Sequence, residues 1–512
     1  METFLDQGRG SDGEGYPRFV EREFRRYLDC GLLCHGFARL RCPRCGFERL
    51  VAFSCKGKLC PSCLARRTAD TSAWLVDHLL PEAGYRQWVL TFPWTLRFRL
   101  AADRALLTTL LQIFLKVLFA WQRRRGRALG IRDGRTGAIT FVQRFGGALN
   151  LNPHFHSILP DGLWFADGNG GDGPGERLRF EPLPPPTTAD VEELTLEIGR
   201  RMSDRVAAAW EADGSDYLDP DLAALCDAFF FARNAPLGTR SGPRLPGIGG
   251  EDEDAQGFSN KPQCASIAGF SLHAAQSVPA WDREALERLL RYGLRAPFSQ
   301  ERLSRSPEGK VVYRLRRPWP NARGATHLIL DPLDFLRRLA ALVSFPYSHQ
   351  IRYHGVFANR SRWRRLLPSP PVREECTSVE SGTLPGLEAE QSRGTRIEPE
   401  RPSARSRRRV PWAQLLRRLL HVDALACPRC STSAQTVPMV VLAFLTDPQV
   451  VGKILRHLGL AATAPALSPS RSSESPMGFL LETDAEGIAA GPDAGDGTGE
   501  GADPDPWARP PP

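Results

Sequence analysis

The sequence lacks what a membrane or secreted protein would need. Its most apolar run, Leu106 to Trp121, is short for a bilayer and is broken by Gln112 and Lys116, so it reads as a buried helix. The opening METFLDQGRGSDGEG has no basic stretch followed by an apolar one, and no secretory signal is expected. Cysteine is sparse outside one segment. Seven of the twelve fall between Cys30 and Cys63, in metal-type pairs rather than a disulfide framework, which suits a reducing cytoplasm. Acidic side chains are outnumbered by basic ones until the end of the chain. Residues 461–512 hold nine acids and two arginines, leaving 65 basic against 49 acidic side chains, +16, in the first 460. That surplus favours a polyanionic partner, nucleic acid before membrane. Tyrosine and histidine number only eight and ten, so the candidate nucleophiles and imidazole ligands are few.

What is present is enough for a large core: 42% hydrophobic and 24% charged over 512 residues implies two to four domains. Residues 1–16 read as disordered and 17–75 as a cysteine-rich unit opening on a helix, Pro17 to Tyr27. Residues 76–165 and 266–367 read as one core, with 166–265 an insertion made of a helix from Thr188 and flexible loops. Within the core, RQWVLTFPW is a predicted strand and 101–125 a long helix. AITFVQRF and ALNLNPHFHSIL form a hairpin about Gly146-Gly147. A helix is expected over 282–295. Residues 368–410 read as a disordered linker, 411–460 as a small module carrying a second CPRC tetrad, and 461–512 as an acidic disordered tail.

Cys42-Pro-Arg-Cys45 and Cys60-Pro-Ser-Cys63 are fourteen residues apart. Two such knuckles can close four thiolates around Zn²⁺, and the metal supplies folding energy that so short a segment lacks. Cys30, Cys34, His35 and Cys55 are spare, and spacing does not decide whether they join. Cys427 and Cys430 are half a site, with His421 a further donor nearby in sequence. Buried free thiols are the plain alternative in both places. Arg39, Arg41, Arg44, Arg49, Lys56, Lys58, Arg66 and Arg67 surround the first cluster and suit a nucleic acid, although solvated surface charge would look the same.

The run Ala148 to Leu159 alternates with period two. Leu149, Leu151, Phe155 and Leu159 face one way; Asn150, Asn152, His154 and His156 face the other. Imidazoles at i and i+2 stand side by side over an apolar backing, which is what a divalent-metal site requires. Such a metal keeps open positions for water and a phosphate oxygen.

LNLNPHFHSILPDG resembles the His-hydrophobe-His strand of HUH single-strand endonucleases. The whole chain resembles transposases of the insertion-sequence-91 family: YLDCGLLCHGFARLRCPRCGFERLVAFSCKGKLCPSCLARR is similar to their N-terminal zinc-binding domain. GFSLHAAQSVPAWDREALERLLRYGLRAP, THLILDPLDFLRRLAALV and QIRYHGVFANRSRWRRLLP resemble their core, and VDALACPRC with DPQVVGKILRHLGL their C-terminal piece. The resemblance implies an α/β (α+β) fold with an HUH-like central antiparallel sheet, covering helices and flanking zinc modules. It also implies tyrosine attack on DNA. Among the tyrosines, Tyr292 in Arg288-Leu-Leu-Arg-Tyr-Gly-Leu-Arg295 sits on a helix with a leucine packing face and has Arg288, Arg291 and Arg295 to hold phosphate oxygens. Tyr353 is the runner-up. Two-tyrosine members carry a second tyrosine four residues earlier, where this chain has Arg288, so it resembles the single-tyrosine, common-region branch.

The reading is a rolling-circle transposase. His154 and His156 hold Mg²⁺ or Mn²⁺, Tyr292 forms a 5′-phosphotyrosine, and structural Zn²⁺ is bound at Cys42, Cys45, Cys60 and Cys63. Gln143 is a candidate third ligand, but a turn at Gly146-Gly147 would pair it with Asn150, away from His154. The implied partners are single-stranded element ends and target DNA, with self-association allowed and no membrane; the implied place is the bacterial cytoplasm, at the nucleoid. A replication initiator or relaxase with the same chemistry, and a non-catalytic zinc-dependent DNA-binding regulator, are the alternatives.

Overall fold

The computed structural model describes residues 1–7, 16–166, 178–212, 261–319, 324–371, 413, 417–418, 423–432 and 435–466. Nearly all of the expected linker 368–410 and tail 461–512, much of the 166–265 segment, and His421 lie outside the described residues.

The N-terminal part comprises α1 (Glu2–Gln7), α2 (Arg18–Leu28), the antiparallel hairpin β1 (Phe37–Arg41) and β2 (Glu48–Ala52), and α3 (Pro61–His78). Helix α2 buries Val20 and Phe24, one turn apart, and leaves Arg18, Arg22, Arg25 and Arg26 in water. Residues 1–16 were expected to be disordered. Instead Phe4 and Leu5 of α1 are buried against Val20 and Phe24, a gain of about 2 kcal/mol for each large side chain removed from water. Pro61 opens α3 at the position where its missing N–H costs nothing.

The core follows with β3 (Tyr85–Thr91), α4 (Trp94–Ala102), α5 (Arg104–Ala128), β4 (Gly137–Phe145), β5 (Leu151–Pro160), β6 (Gly162–Ala166) and β7 (Leu178–Pro182). Next come α6 (Thr188–Ala212), β8 (Cys264–Ile267), β9 (Phe270–His273), β10 (Ser277–Val278) and α7 (Arg283–Gly293). The strands β11 (Leu303–Arg305), β12 (Val311–Trp319) and β13 (Ala325–Leu330) form a separate antiparallel sheet, followed by α8 (Pro332–Leu342) and β14 (Ile351–Gly355). The central seven-stranded sheet has the order β14-β4-β5-β3-β9-β8, with β10 added to β3, and every pairing is antiparallel. This is the expected α+β architecture.

One face of the sheet carries Trp88, Leu90, Val142, Phe155 and Leu159 and is covered by α5 and α6. Helix α5 is long and apolar enough to cross a membrane by composition, but its Leu110, Leu111, Phe114 and Leu118 are spent on this core. Asp103 caps it by accepting from the Leu106 amide. Helix α6, read as part of an insertion, packs Val191, Leu194, Ile198, Met202 and Val206 into the same core. Its cap is Thr187: Thr187 Oγ1 accepts from the Asp190 amide and Asp190 accepts from the Thr187 amide. The other face carries Ile139, Phe141 and Ile158 under α3 and α7.

The β4–β5 connection differs from the two-residue turn expected. It runs over residues 146–150, with the Gly146 amide donating to the Asn150 carbonyl and Leu149 in the left-handed region at φ 59°. The cause is packing. Ala148 and Leu149 are buried beside Val20, Phe24 and Phe298, which pulls them off the strand path. A register shift between Gln143 and Phe145 adds one more residue of offset on the β5 side.

The chain returns to its beginning. β15 (Val440–Leu445) pairs antiparallel with β1, from Phe37↔Leu445 to Arg41↔Val440, giving the sheet β15-β1-β2. Helix α9 (Pro448–His457) packs Val451 and Leu455 on Phe37. The residues read as a separate module at 411–460 thus complete the N-terminal sheet.

Candidate active site and metal centres

Strand β5 has neighbours on both sides, and its alternation buries His154 and His156 on the face under α7. Two cross-strand rows define the site: Gln143, His154, Thr91 and Ser271, then Phe141, His156, Val89 and His273. The Nε2 atoms of His154 and His156 are 3.0 Å apart; His154 Nδ1 lies 2.7 Å from the Asn152 carbonyl, and His156 Nδ1 lies 3.1 Å from Gln87 Nε2. One placement of protons satisfies all three contacts. Gln87 donates to His156 Nδ1, His156 Nε2–H donates to His154 Nε2, and His154 Nδ1–H donates to the carbonyl. With His156 in its other tautomer, Nδ1–H held by the Gln87 amide oxygen, both Nε2 atoms would be free to hold a cation.

The spacing fits such a cation, because adjacent ligands of an octahedral ion bound at about 2.1 Å lie about 3 Å apart. Burial holds the His156 pKa well below the ordinary histidine value, and His154, Arg295 and His273 push it the same way. The ring is therefore neutral near pH 7, the form that binds metal. Among the described residues, no His, Cys, Asp or Glu completes a group of three with this pair. Gln143 is better placed than its sequence position suggested. The longer connection and the one-residue register shift together set it directly opposite His154, not Asn150, and its Oε1 is buried without a hydrogen-bond partner.

Helix α7 delivers the tyrosine. Asp282 caps its start by accepting from the Ala285 amide, and Leu286, Leu289 and Leu290 bury its inner face. Gly293 allows its last turn to touch the sheet, since a Cβ there would come within 2.4 Å of Phe141. Gln143 Nε2 donates to the Tyr292 and Gly293 carbonyls at 3.1 and 2.9 Å, satisfying helix-end groups from β4. Tyr292, still 40% exposed, meets His156 edge-on with 5.7 Å between ring centroids.

Of the three arginines singled out, Arg295 lies over the Tyr292 ring at 4.5 Å, while Arg288 turns to Asp282 and Glu284 at the start of the helix. Arg291 is partly buried on the same turn. Arg316 of β12 also lies over the phenol, at 5.9 Å. Tyr353 is on edge strand β14, opposite Ile139 and beneath Arg364, so it is Tyr292 that joins the histidines. Gln87, His273 and Arg316 escaped sequence reasoning. The alternation of β3 marks Gln87 as polar-facing, but only strand order shows which histidine it serves.

The cysteines group differently from the quartet expected. Cys60 and Cys63 join Cys30 and Cys55, whereas Cys42 and Cys45 join Cys427 and Cys430; in each group the sulfur atoms all lie within 4.8 Å of one another. The reason is the hairpin. Strands β1 and β2 carry the Cys42 knuckle to one end of their sheet, while Cys60 caps the start of α3 and Cys30 follows the end of α2. In the first group Cys30–Cys63, Cys55–Cys63 and Cys30–Cys60 are 3.5, 3.4 and 3.5 Å apart. Tetrahedral zinc with Zn–S near 2.3 Å sets sulfurs about 3.8 Å apart, so the donor set fits structural zinc. Cys34 packs with Leu33, Phe37 and Val451, and His35 lies 3.4 Å from Asp29, so neither belongs to a tetrad.

Two family models match the chain: "Transposase zinc-binding domain" over residues 2–92 and "Putative transposase" over residues 241–364. The first contains Cys30, Cys42, Cys45, Cys55, Cys60 and Cys63, and the second contains Tyr292. His154, His156, Cys427 and Cys430 lie outside both. No curated protein and no solved structure matches the chain.

Proposed function

The chain belongs to the insertion-sequence-91 family of transposases, and on that premise we propose that it cuts and rejoins single DNA strands through a 5′-phosphotyrosine at Tyr292. The observation that carries the proposal is the approach of Tyr292 to His156, with Arg295 and Arg316 over the same ring.

The Tyr292 oxygen gives its proton to solvent and bonds to phosphorus. The bond from phosphorus to the 3′-oxygen breaks with its electron pair, and that oxygen takes a proton to become a free hydroxyl. One ester replaces another, so attack by a 3′-hydroxyl on the phosphotyrosine joins strands without ATP. Mg²⁺ or Mn²⁺ held by His154 and His156 would supply positive charge to the scissile phosphate. Gln143 Oε1 is the third protein ligand in this reading, and Gln87 and the Asn152 carbonyl orient the imidazoles. Arg295 and Arg316 hold non-bridging phosphate oxygens. Single strands are favoured because a phosphate in a stacked duplex is hard to approach in line. The reaction belongs in the bacterial cytoplasm, on the nucleoid.

The test uses a single-stranded element terminus labelled at one end, incubated with protein and Mg²⁺. Label 3′ to the cut should become covalently attached to protein, while label 5′ to the cut should remain on a free strand ending in a 3′-hydroxyl. Attachment of the opposite label would exclude a 5′-phosphotyrosine.

A further inference from the structure

We infer that Cys42, Cys45, Cys427 and Cys430 hold one Zn²⁺ between the two ends of the chain, so that the C-terminal piece is the missing half of a second zinc centre. All four sulfurs lie within 4.8 Å of one another, and Cys45 Sγ and Cys427 Sγ, 382 residues apart in sequence, are 3.7 Å apart. That spacing is the edge of a tetrahedral thiolate site, about 3.8 Å, and not the S–S bond of a disulfide, about 2.05 Å.

The two CPRC tetrads are folded alike. The Gly46 amide donates to the Cys42 carbonyl at 3.0 Å, and the Ser431 amide donates to the Cys427 carbonyl at the same distance. The Cys42 amide donates back to the Phe47 carbonyl, and the Cys427 amide to the Val437 carbonyl, both at 2.8 Å. Each tetrad is thus a turn presenting two thiols from one side, and each lacks the other two ligands of a closed site. The surroundings complete the match. Leu40, Cys42, Cys427 and Met439 share a small core with Phe47 and Val437, Arg429 covers the Phe47 ring at 4.8 Å, and β15 extends the sheet of β1. So small a core is weak alone, and a metal joining both knuckles supplies what it lacks.

Zinc content and thiol reactivity test this on the full-length protein. Wild type should carry about two zinc ions per chain, and Cys427→Ser/Cys430→Ser about one, with Cys30, Cys55, Cys60 and Cys63 keeping theirs. Because that variant could misfold, the second measurement uses wild type. Cys45 is exposed and Cys430 half-exposed, so as free thiols they would alkylate quickly. With zinc bound, both should resist alkylation, and a chelator should unmask Cys42, Cys45, Cys427 and Cys430 together. A single zinc in wild type, an unchanged count in the double variant, rapid labelling of Cys45 in zinc-loaded protein, or a Cys45–Cys427 disulfide would each overturn the assignment.

Discussion

Tyr292 reaches His156 because Gly293, the next residue, lets the end of α7 rest on Phe141, the cross-strand neighbour of His156. The site therefore depends on one missing side chain. Gly293→Ala puts a methyl group 2.4 Å from the Phe141 ring, and α7 has to lift. Overpacking of this kind costs about 1–3 kcal/mol. The expected result is a lower melting temperature together with a loss of strand cleavage larger than the loss of folded protein. Gly147→Ala, which meets nothing within 4 Å, is the control. Equal behaviour of the two variants would contradict the role given to Gly293.

Gln143 ties the two halves of the site. Gln143→Ala removes two hydrogen bonds to the end of α7, each worth about 1 kcal/mol, and the oxygen opposite His154. Cleavage by this variant should need more Mg²⁺ for half-maximal rate, besides being slower. A metal dependence identical to wild type would remove Gln143 from the ligand set.

Much of this site was legible from periodicity. Alternation over Phe155, His156 and Leu159 identified the histidine face, and leucines at helical spacing identified the inner face of the Tyr292 helix. What the sequence could not show was set by contacts distant along the chain. The placement of Gln143 opposite His154 follows from the longer 146–150 connection and a one-residue register shift, and that connection follows from the burial of Leu149 against α2. The cysteines failed for a similar reason. A Cys-x-x-Cys pair announces a knuckle, but which knuckles share a metal is decided by the β1–β2 hairpin and by β15 returning to it. At the N-terminus two apolar side chains, Phe4 and Leu5, are enough to anchor a short helix that composition alone does not mark.

His354 gives the fold a pH limit. Burial, reinforced by Arg352, lowers its pKa from the ordinary 6.5 to about 4 on strand β14. Between those values the unfolded chain binds a proton that the folded chain does not, so stability is full above about pH 6.5 and falls as pH drops toward 4. His354→Gln should flatten this decline in denaturant melts across that range. It should not abolish it, because His156 and His273 are shifted in the same direction. An unchanged slope would mean that His354 titrates normally.

Arg418 braces the tyrosine helix from the C-terminal side, donating to Asp77 of α3 at 2.6 Å and to Glu287 of α7 at 3.0 Å. Glu287 is almost fully buried, so Arg418→Ala takes a guanidinium away from a carboxylate held out of water. Removing one partner of a buried pair costs on the order of 3 kcal/mol. Chemical denaturation should show such a loss, with partial recovery in Arg418→Lys; a change below about 0.5 kcal/mol would mean that the contact is solvent-screened.

Peptide mapping of the protein–DNA adduct identifies the nucleophile, expected to be Tyr292. After incubation with a single-stranded terminus and Mg²⁺, then nuclease and protease digestion, mass spectrometry should place the nucleotide on the peptide containing Tyr292, with no adduct in Tyr292→Phe at any metal concentration. Arg288 stands four residues earlier, where two-tyrosine relatives carry their second nucleophile. A nucleotide on the Tyr353 peptide, or an undiminished adduct in Tyr292→Phe, would mean that Tyr292 is not the nucleophile.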